Sequence, residues 1–219
     1  MLCYVRLMRK EDIAQVAEID REAFPTMWPP VNYRHELQNQ LAHYIVIYKE
    51  GETVEEPEVQ ATSEKGFPYL MSRVRQLFNY NRSFGHKPSS SVKQYIIGFA
   101  GLWMMADEAH IINIAVRERY RRQGMGELLL IAIIDLATEL KAGIITLEVR
   151  ASNITAQRLY SKYGFTQVGL RRGYYTDTGE DGVLMSTENI ISALFQTRLQ
   201  QLKEAHTRKW GIALYQIAR

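Results

Sequence analysis

The segment Ile114-Ala-Val-Arg-Glu-Arg-Tyr-Arg-Arg-Gln-Gly-Met-Gly-Glu127 constrains the fold more than any other. An apolar strand pattern feeds a basic loop, glycines stand at 124 and 126, and a long apolar helix pattern starts at once. Gly124 and Gly126 let the backbone turn tightly and expose successive N–H groups. The first helical turn adds unpaired donors and the positive end of its dipole. Together these make an anion cradle of the size and polarity that holds a pyrophosphate, with Arg121 and Arg122 supplying charge-assisted bonds. No Gly-Lys-Ser/Thr follows, and Leu129 stands where a dinucleotide fingerprint needs its third glycine. Taken alone, the segment is equally readable as a glycine loop carrying solvated arginines.

The flanking pattern extends this into a mixed α/β domain. Tyr4–Leu7 reads as a short strand, and Glu11–Ala23 as a helix ended by Pro25. The prolines of Phe24-Pro-Thr-Met-Trp-Pro-Pro30 exclude regular helix there. Tyr33–Leu41 suggests a second short helix and Tyr44–Tyr48 a strand. Gln94–Trp103 and Ala109–Val116 are strands about a turn at Ala106–Glu108, and Gly124–Lys141 is a long helix. A strand at Ile144–Val149, a helix at Ile154–Tyr163 and strands at Phe165–Arg171 and Gly182–Met185 follow. From Glu188 onward Ile191, Phe195, Leu199 and Leu202 recur every three or four residues, which predicts a C-terminal helix.

Composition removes several classes of function. Among 219 residues, 27 Lys+Arg against 24 Asp+Glu leave a net charge of only +3, too little to argue for a dedicated nucleic-acid binder. The single cysteine, Cys3, excludes an internal disulfide and any CxxC motif, and it reads as a small buried hydrophobe. The five histidines (His35, His43, His86, His110 and His206) form no short-spaced ligand set, so no metal is expected. No apolar run nears the roughly 20 residues that span a bilayer, and no signal-like apolar stretch opens the chain. A cytoplasmic protein without membrane partners is the expectation.

Several motifs in fixed order carry a resemblance. Arg121-x-x-Gly124-x-Gly126, Leu147-Glu-Val-Arg-Ala-Ser-Asn153, Leu159-Tyr-Ser-Lys-Tyr-Gly-Phe165 and Arg171-Arg-Gly-Tyr-Tyr175 stand downstream of Ala23-Phe-Pro25 and Ile112-Asn-Ile-Ala-Val116. The set resembles the GNAT acetyltransferase superfamily, in particular its ribosomal-protein alanine N-acetyltransferase branch. The similarity covers most of residues 2–50 and 94–186.

That resemblance implies a central, mostly antiparallel, splayed sheet flanked by helices, with acetyl-CoA as co-substrate and direct attack in a ternary complex. It assigns Glu148 as base and Tyr160 as the acid that protonates the departing thiolate. The cofactor contacts become Ile114, Ala115 and Val116 through main-chain atoms, Arg121, Arg122, Gln123, Gly124, Met125, Gly126 and Glu127 in the cradle, and Asn153. Phe24 and Pro25 would form one wall of an acceptor site, with Tyr174 and Tyr175 the other. The acceptor would be a protein N-terminus, a ribosomal protein among the candidates. Two departures fall at that end: Gly173 replaces the usual Asn, and Thr26 and Met27 separate Pro25 from Trp28.

Each residue also has a plainer reading. Glu148 is a glutamate on a strand, Tyr160 a packed aromatic, and Asn153 an N-cap for the next helix. A small-amine or lysine acetyltransferase would share the cradle, as would a non-catalytic acyl-CoA sensor.

The expected organisation is an acetyltransferase domain over residues 1–186, an insertion at about 50–93, and a helical extension over 187–219. The insertion is acidic and then basic: residues 50–64 hold six acids and no base, and residues 66–93 hold five Lys/Arg and no acid. Leu70, Val74, Leu77 and Phe78 behind Pro68 suggest one helix in it. It reads as a solvated embellishment, a flap on the acceptor site, or a weak RNA-docking patch through Arg73, Arg75, Arg82 and Lys87. The C-terminal stripe fits packing within the chain or a homodimer seam.

Overall fold

The computed structural model describes residues 3–26, 30–53, 94–211 and 214–216. In chain order these form β1 (Cys3–Leu7), α1 (Ile13–Ala23), α2 (Tyr33–Glu36), β2 (Ala42–Thr53), β3 (Gln94–Met105) and β4 (Glu108–Val116). Then come α3 (Met125–Glu139), β5 (Ile144–Arg150), α4 (Ile154–Lys162), β6 (Phe165–Tyr175), β7 (Glu180–Thr187), α5 (Ala193–Trp210) and β8 (Leu214–Gln216). The chain divides into two compact units, residues 1–52 with 94–219 and residues 53–93. The first holds the sheet and its helices. The helix expected at 68–78 lies outside the described residues, as does Trp28.

One sheet of eight strands runs β6-β7-β5-β4-β3-β2-β1-β8. The pairs β1–β2, β3–β4, β5–β7 and β6–β7 are antiparallel, while β4–β5 and β1–β8 are parallel. A parallel neighbour needs a crossover, and α3 supplies it between β4 and β5. The sheet separates two cores. On one side α3 buries Leu128 to Ile134 almost completely, with Leu147, Phe165 and Leu199. On the other, Val16 and Ile19 of α1 meet Tyr33, Tyr44 and Phe99. Cys3 is buried in the first core.

Several element limits differ from the sequence reading for identifiable reasons. The second helix stops at Glu36, short of Leu41, because the Asn39 side chain takes the Leu41 N–H at 3.0 Å and turns the backbone. The β6–β7 hairpin is longer than expected, since cross-strand pairing continues to Tyr175 and Glu180. Phe195, Leu199 and Leu202 pack within the chain, but Ile191 stays 55% exposed. Ile190 is buried in its place, with its N–H bonded to the Gly143 carbonyl at 2.8 Å before Ser192 caps α5.

Candidate active site

The sheet opens where β4 and β5 part. Their register runs from Glu108↔Ile144 to Ile111↔Leu147 and stops there. The divergence begins at a bulge, for Gly101 pairs with Asn113 but Leu102 with Ile111, leaving Ile112 extra on β4. Beyond it, Arg117 N–H bonds the Ile97 carbonyl at 2.9 Å, continuing the register in which Val116 faces Gly98. Antiparallel pairs alternate, so the backbone groups of Ile114 and Val116 point away from β3, into the opening. The Val116 carbonyl there accepts from Arg121 Nε at 3.1 Å. Its N–H is a donor on the side left without a strand, as an oxyanion contact requires.

The cradle closes one end of this opening. Arg122 adopts φ 62° and Gly124 φ 81°, two left-handed residues within three. Such backbone is costly for arginine and clusters where function holds it. The Arg122 side chain is exposed and makes no ion pair or hydrogen bond among the described residues. A Cβ added at Gly126 would meet nothing within 4 Å, so no protein packing calls for glycine there. Close approach of a ligand to the first turn of α3 would. These features fit a diphosphate. Met125 is buried, and Gln123 Nε2 bonds the Arg119 carbonyl at 2.8 Å, bracing the loop from within. The Glu127 side chain turns to Lys162 Nζ at 2.5 Å and Tyr163 Oη at 2.8 Å. The hydrogen bonds from Lys162 and Tyr163 hold its carboxyl below the usual range, although burial opposes them. Asn153 caps α4, its Oδ1 accepting from Ala156 N–H at 3.1 Å.

Glu148 sits beside the opening with its side chain only 5% exposed. One carboxylate oxygen lies 3.1 Å from Arg171 of β6, the other 3.0 Å from His110 Nε2. The His110 Nδ1 is 2.9 Å from Thr146 Oγ1, and the Thr146 hydroxyl donates to Glu108 at 2.5 Å. That order fixes the imidazole: Thr146 has spent its proton, so Nδ1 carries the hydrogen it shares with Thr146. Nε2 is left facing the Glu148 carboxylate. His110 was not singled out by the motifs. Its signal was the strand alternation that puts Thr146 and Glu148 on one face of β5, next to His110 of β4.

Tyr160 comes from the other face, packed with the α3-side core and 5.8 Å from the Phe165 ring centre. Its hydroxyl makes no hydrogen bond among the described residues. Burial, then the nearby Tyr175 phenol, pushes its pKa up to about 12. Tyr175 is also raised to about 12, chiefly by burial, and it feels the Glu148 charge. Glu148 and Tyr160 therefore share Tyr175 as a neighbour.

The two loops expected to form the acceptor end are brought together. Tyr174 and Tyr175 meet edge to face at 5.1 Å, and the Arg150 guanidinium lies 4.1 Å over the Tyr175 ring. Arg150 also pairs with Asp177 at 2.6 Å in the turn beyond. Thr26, one residue past Phe24-Pro25, donates a hydrogen bond to the same Asp177. The two walls are thus latched to each other. Gly173 explains the departure from Asn: its φ is +59°, in a β6 bulge between Arg171 and Tyr175. Asn and Gly are the residues that tolerate that region best.

Comparison with known proteins decides the family. A Bacillus subtilis (strain 168) protein provisionally named a [ribosomal protein bS18]-alanine N-acetyltransferase is 35% identical over 182 residues, covering 83% of this chain and 92% of the relative. The chain belongs to the GNAT acetyltransferase family. The profile of the Acetyltransferase (GNAT) family itself matches residues 58–165. This GNAT chain is also 33% identical over 183 residues to an N-alpha-acetyltransferase of Sulfurisphaera tokodaii, covering 83% of the chain and 90% of that protein. In fold it matches the crystal structure of the ribosomal-protein-S18-alanine N-acetyltransferase from Escherichia coli, with TM-score 0.62 at 23% identity, over 88% of this chain and 97% of that one. As a GNAT acetyltransferase it is an acetyl-CoA-dependent enzyme with the mixed, mostly antiparallel splayed sheet expected. Among the described residues no helix is long and apolar enough to cross a membrane, and no cluster of His, Cys, Asp and Glu could hold a metal ion.

Proposed function

We propose that the enzyme transfers acetyl from acetyl-CoA to the α-amine of a protein N-terminus, with a ribosomal protein as acceptor. The observation that carries this is the latched pair of walls, Thr26 against Asp177, beside the tyrosines Tyr174 and Tyr175 that feel the Glu148 charge. An acceptor enters such a site end-on, so a chain terminus fits better than a side chain in mid-chain. The names of the Bacillus and Sulfurisphaera relatives support the same acceptor class.

The chemistry asks little of the base. A terminal amine has a pKa of about 7.7–8.0, so a useful fraction is neutral near pH 7 and attacks without prior deprotonation. Acetyl-CoA supplies the thioester carbonyl carbon. Val116 N–H stabilises the oxygen as negative charge gathers there. As the C–N bond forms, the nitrogen proton passes to the Glu148–His110 pair, directly or through one water. As the C–S bond breaks, CoA leaves as its thiolate and Tyr160 Oη–H is the donor assigned to that sulfur.

Burial makes that last transfer steeper than the free groups imply. A phenol near 12 giving a proton to a thiolate near 8.5 costs ~5 kcal/mol if completed at equilibrium. Tyr160 therefore works chiefly as a hydrogen-bond donor that stabilises the leaving sulfur. The assigned cradle residues hold the diphosphate, Arg122 being the side chain free to do so, and Asn153 contributes by capping α4. The insertion and the tail are additions to one acetyltransferase domain.

Acetylation of a library of free-N-terminus peptides tests the reading. Turnover restricted to unblocked α-amines is expected. Preference for spermidine or free lysine over every peptide would overturn it.

A further inference from the structure

The last turn of α5 closes on the cofactor loop. This helix lies against α3, with Leu199 buried and Lys203 Nζ 2.5 Å from Asp135 of α3. Leu199, Lys203, His206 and Trp210 follow one another at spacings of four, three and four, a single helical face. That face ends at Gly124. His206, 5% exposed, brings Nε2 to 3.1 Å from the Gly124 carbonyl. A carbonyl has no proton to give, so Nε2 is the donor. The same carbonyl accepts the first helical bond of α3, from Leu128 N–H at 2.9 Å.

Trp210 fills the other side of the residue. A Cβ added at Gly124 would lie 2.7 Å from the indole Cγ and Cδ1. Among the described residues the buried indole N–H has no hydrogen-bond partner, and the ring rests against Gly124. Gly124 is thus glycine for two reasons, a φ of +81° and an aromatic ring where a side chain would stand.

We infer that the end of α5 is part of the acyl-CoA site, with His206 and Trp210 as positioning residues for the cradle. The loop carries left-handed backbone at Arg122 and Gly124, which lasts only where the surroundings impose it. His206 fixes the Gly124 carbonyl, and Trp210 excludes other placements of its Cα. Both residues lie outside the 58–165 stretch that matches the family. The tail thereby supplies a support that the matched stretch does not contain, and holds the donor array ready before the ligand arrives. The inference rests on the assignment of residues 121–126 to the cofactor, and its test separates the two.

Coenzyme A binding by calorimetry and steady-state kinetics are measured for the full chain and for Trp210→Ala, Trp210→Phe, His206→Ala, His206→Gln and Arg122→Ala. Trp210→Ala should raise the Kd for coenzyme A and the KM for acetyl-CoA about tenfold, roughly 1.4 kcal/mol. Acceptor KM, and kcat at saturating acetyl-CoA, should change less than about twofold, because positioning acts on cofactor binding. Trp210→Phe, which keeps an aromatic ring, and His206→Gln, which keeps an N–H donor, should recover most of what the alanine variants lose. A general loss of folding would instead lower both KM selectivity and kcat, and the conservative variants would not restore the cofactor term alone. Weaker binding by Arg122→Ala with unchanged binding by Trp210→Ala and His206→Ala overturns the role of the tail and leaves the cradle standing. Unchanged binding by Arg122→Ala as well overturns the cradle assignment and this inference with it. Tighter binding by Trp210→Ala overturns the support role, since it would make the helix an obstruction.

Discussion

His110 Nε2 stands 3.0 Å from Glu148 Oε2 while its Nδ1 faces Thr146 at 2.9 Å. The base proposed for this enzyme is therefore a pair. Glu148 has both oxygens engaged, since Arg171 holds the second at 3.1 Å. A buried carboxylate so held cannot swing toward an acceptor, so the nitrogen proton must come to it, and His110 offers that proton an onward place.

Replacing Glu148 by Gln leaves the shape but removes the acceptor charge facing His110 and Arg171. The expected fall in kcat is about 10²–10⁴-fold with little change in acetyl-CoA KM. His110→Ala should cost less, roughly 10–100-fold, because Glu148 and Arg171 remain. Since the two act on one proton, the double variant should be little worse than Glu148→Gln alone. Steady-state kinetics of the two single variants and the double variant check this, and additive losses would show independent roles.

Tyr160→Phe should lower kcat by about 10²-fold or more, with the fold intact, since the phenol makes no hydrogen bond among the described residues that folding would miss. The pH profile sharpens the test. A phenol raised to about 12 stays protonated, and so competent as a donor, at every pH below that value. The donor form is lost only as pH rises through about 12, so a rate profile for kcat should show no alkaline decline from Tyr160 up to about pH 10. A decline centred near pH 9 that disappears in Tyr160→Phe would contradict the burial seen here.

Much of this site was legible because its parts are local. The cradle is one continuous segment, and Gly124, Gly126 and Arg122 hold the places the sequence suggests. The splayed, mostly antiparallel sheet followed from a resemblance in which each motif names its own strand. What escaped was the chemistry made between segments. His110 meets Glu148 only because two parallel strands stay in register for four residues and then part. Arg150 pins the hairpin through Asp177, 27 positions away, and no periodicity encodes that pair. The helix limit at Glu36 was missed for the reverse reason, since one Asn side chain outcompeted a pattern that looked helical.

The two cradle glycines should respond differently to alanine. At Gly126 an added methyl meets no atom within 4 Å, and alanine favours a helix over glycine by roughly 0.5–1 kcal/mol. Gly126→Ala should therefore keep or slightly raise Tm, yet weaken coenzyme A binding by about tenfold, or ~1.4 kcal/mol, where the methyl meets the ligand. Gly124→Ala should lose stability as well, since its φ of +81° and the Trp210 ring both oppose a Cβ. Thermal melts beside calorimetry with coenzyme A separate these effects. Equal loss of Tm in both variants would remove the argument that Gly126 is kept for a ligand.

The latch gives a prediction confined to the acceptor. Asp177 joins Thr26 on one wall to Arg150 under the other, and those hydrogen bonds hold its carboxyl down to about 2. A depressed carboxyl pKa stabilises the latched state fully above its unfolded value near 3.9, and the benefit is lost as pH falls through about 2. Between pH 5 and 9 the latch should thus be indifferent to pH. Thr26→Val and Asp177→Asn should each raise acceptor KM by about three- to tenfold while acetyl-CoA KM stays constant, because the interaction orders a wall and touches no part of the cradle. Kinetics with one substrate saturating at a time distinguish the two constants. A rise in acetyl-CoA KM, or an acceptor KM that moves with pH across that range only in the unsubstituted enzyme, would place the Thr26–Asp177 bond outside the acceptor site.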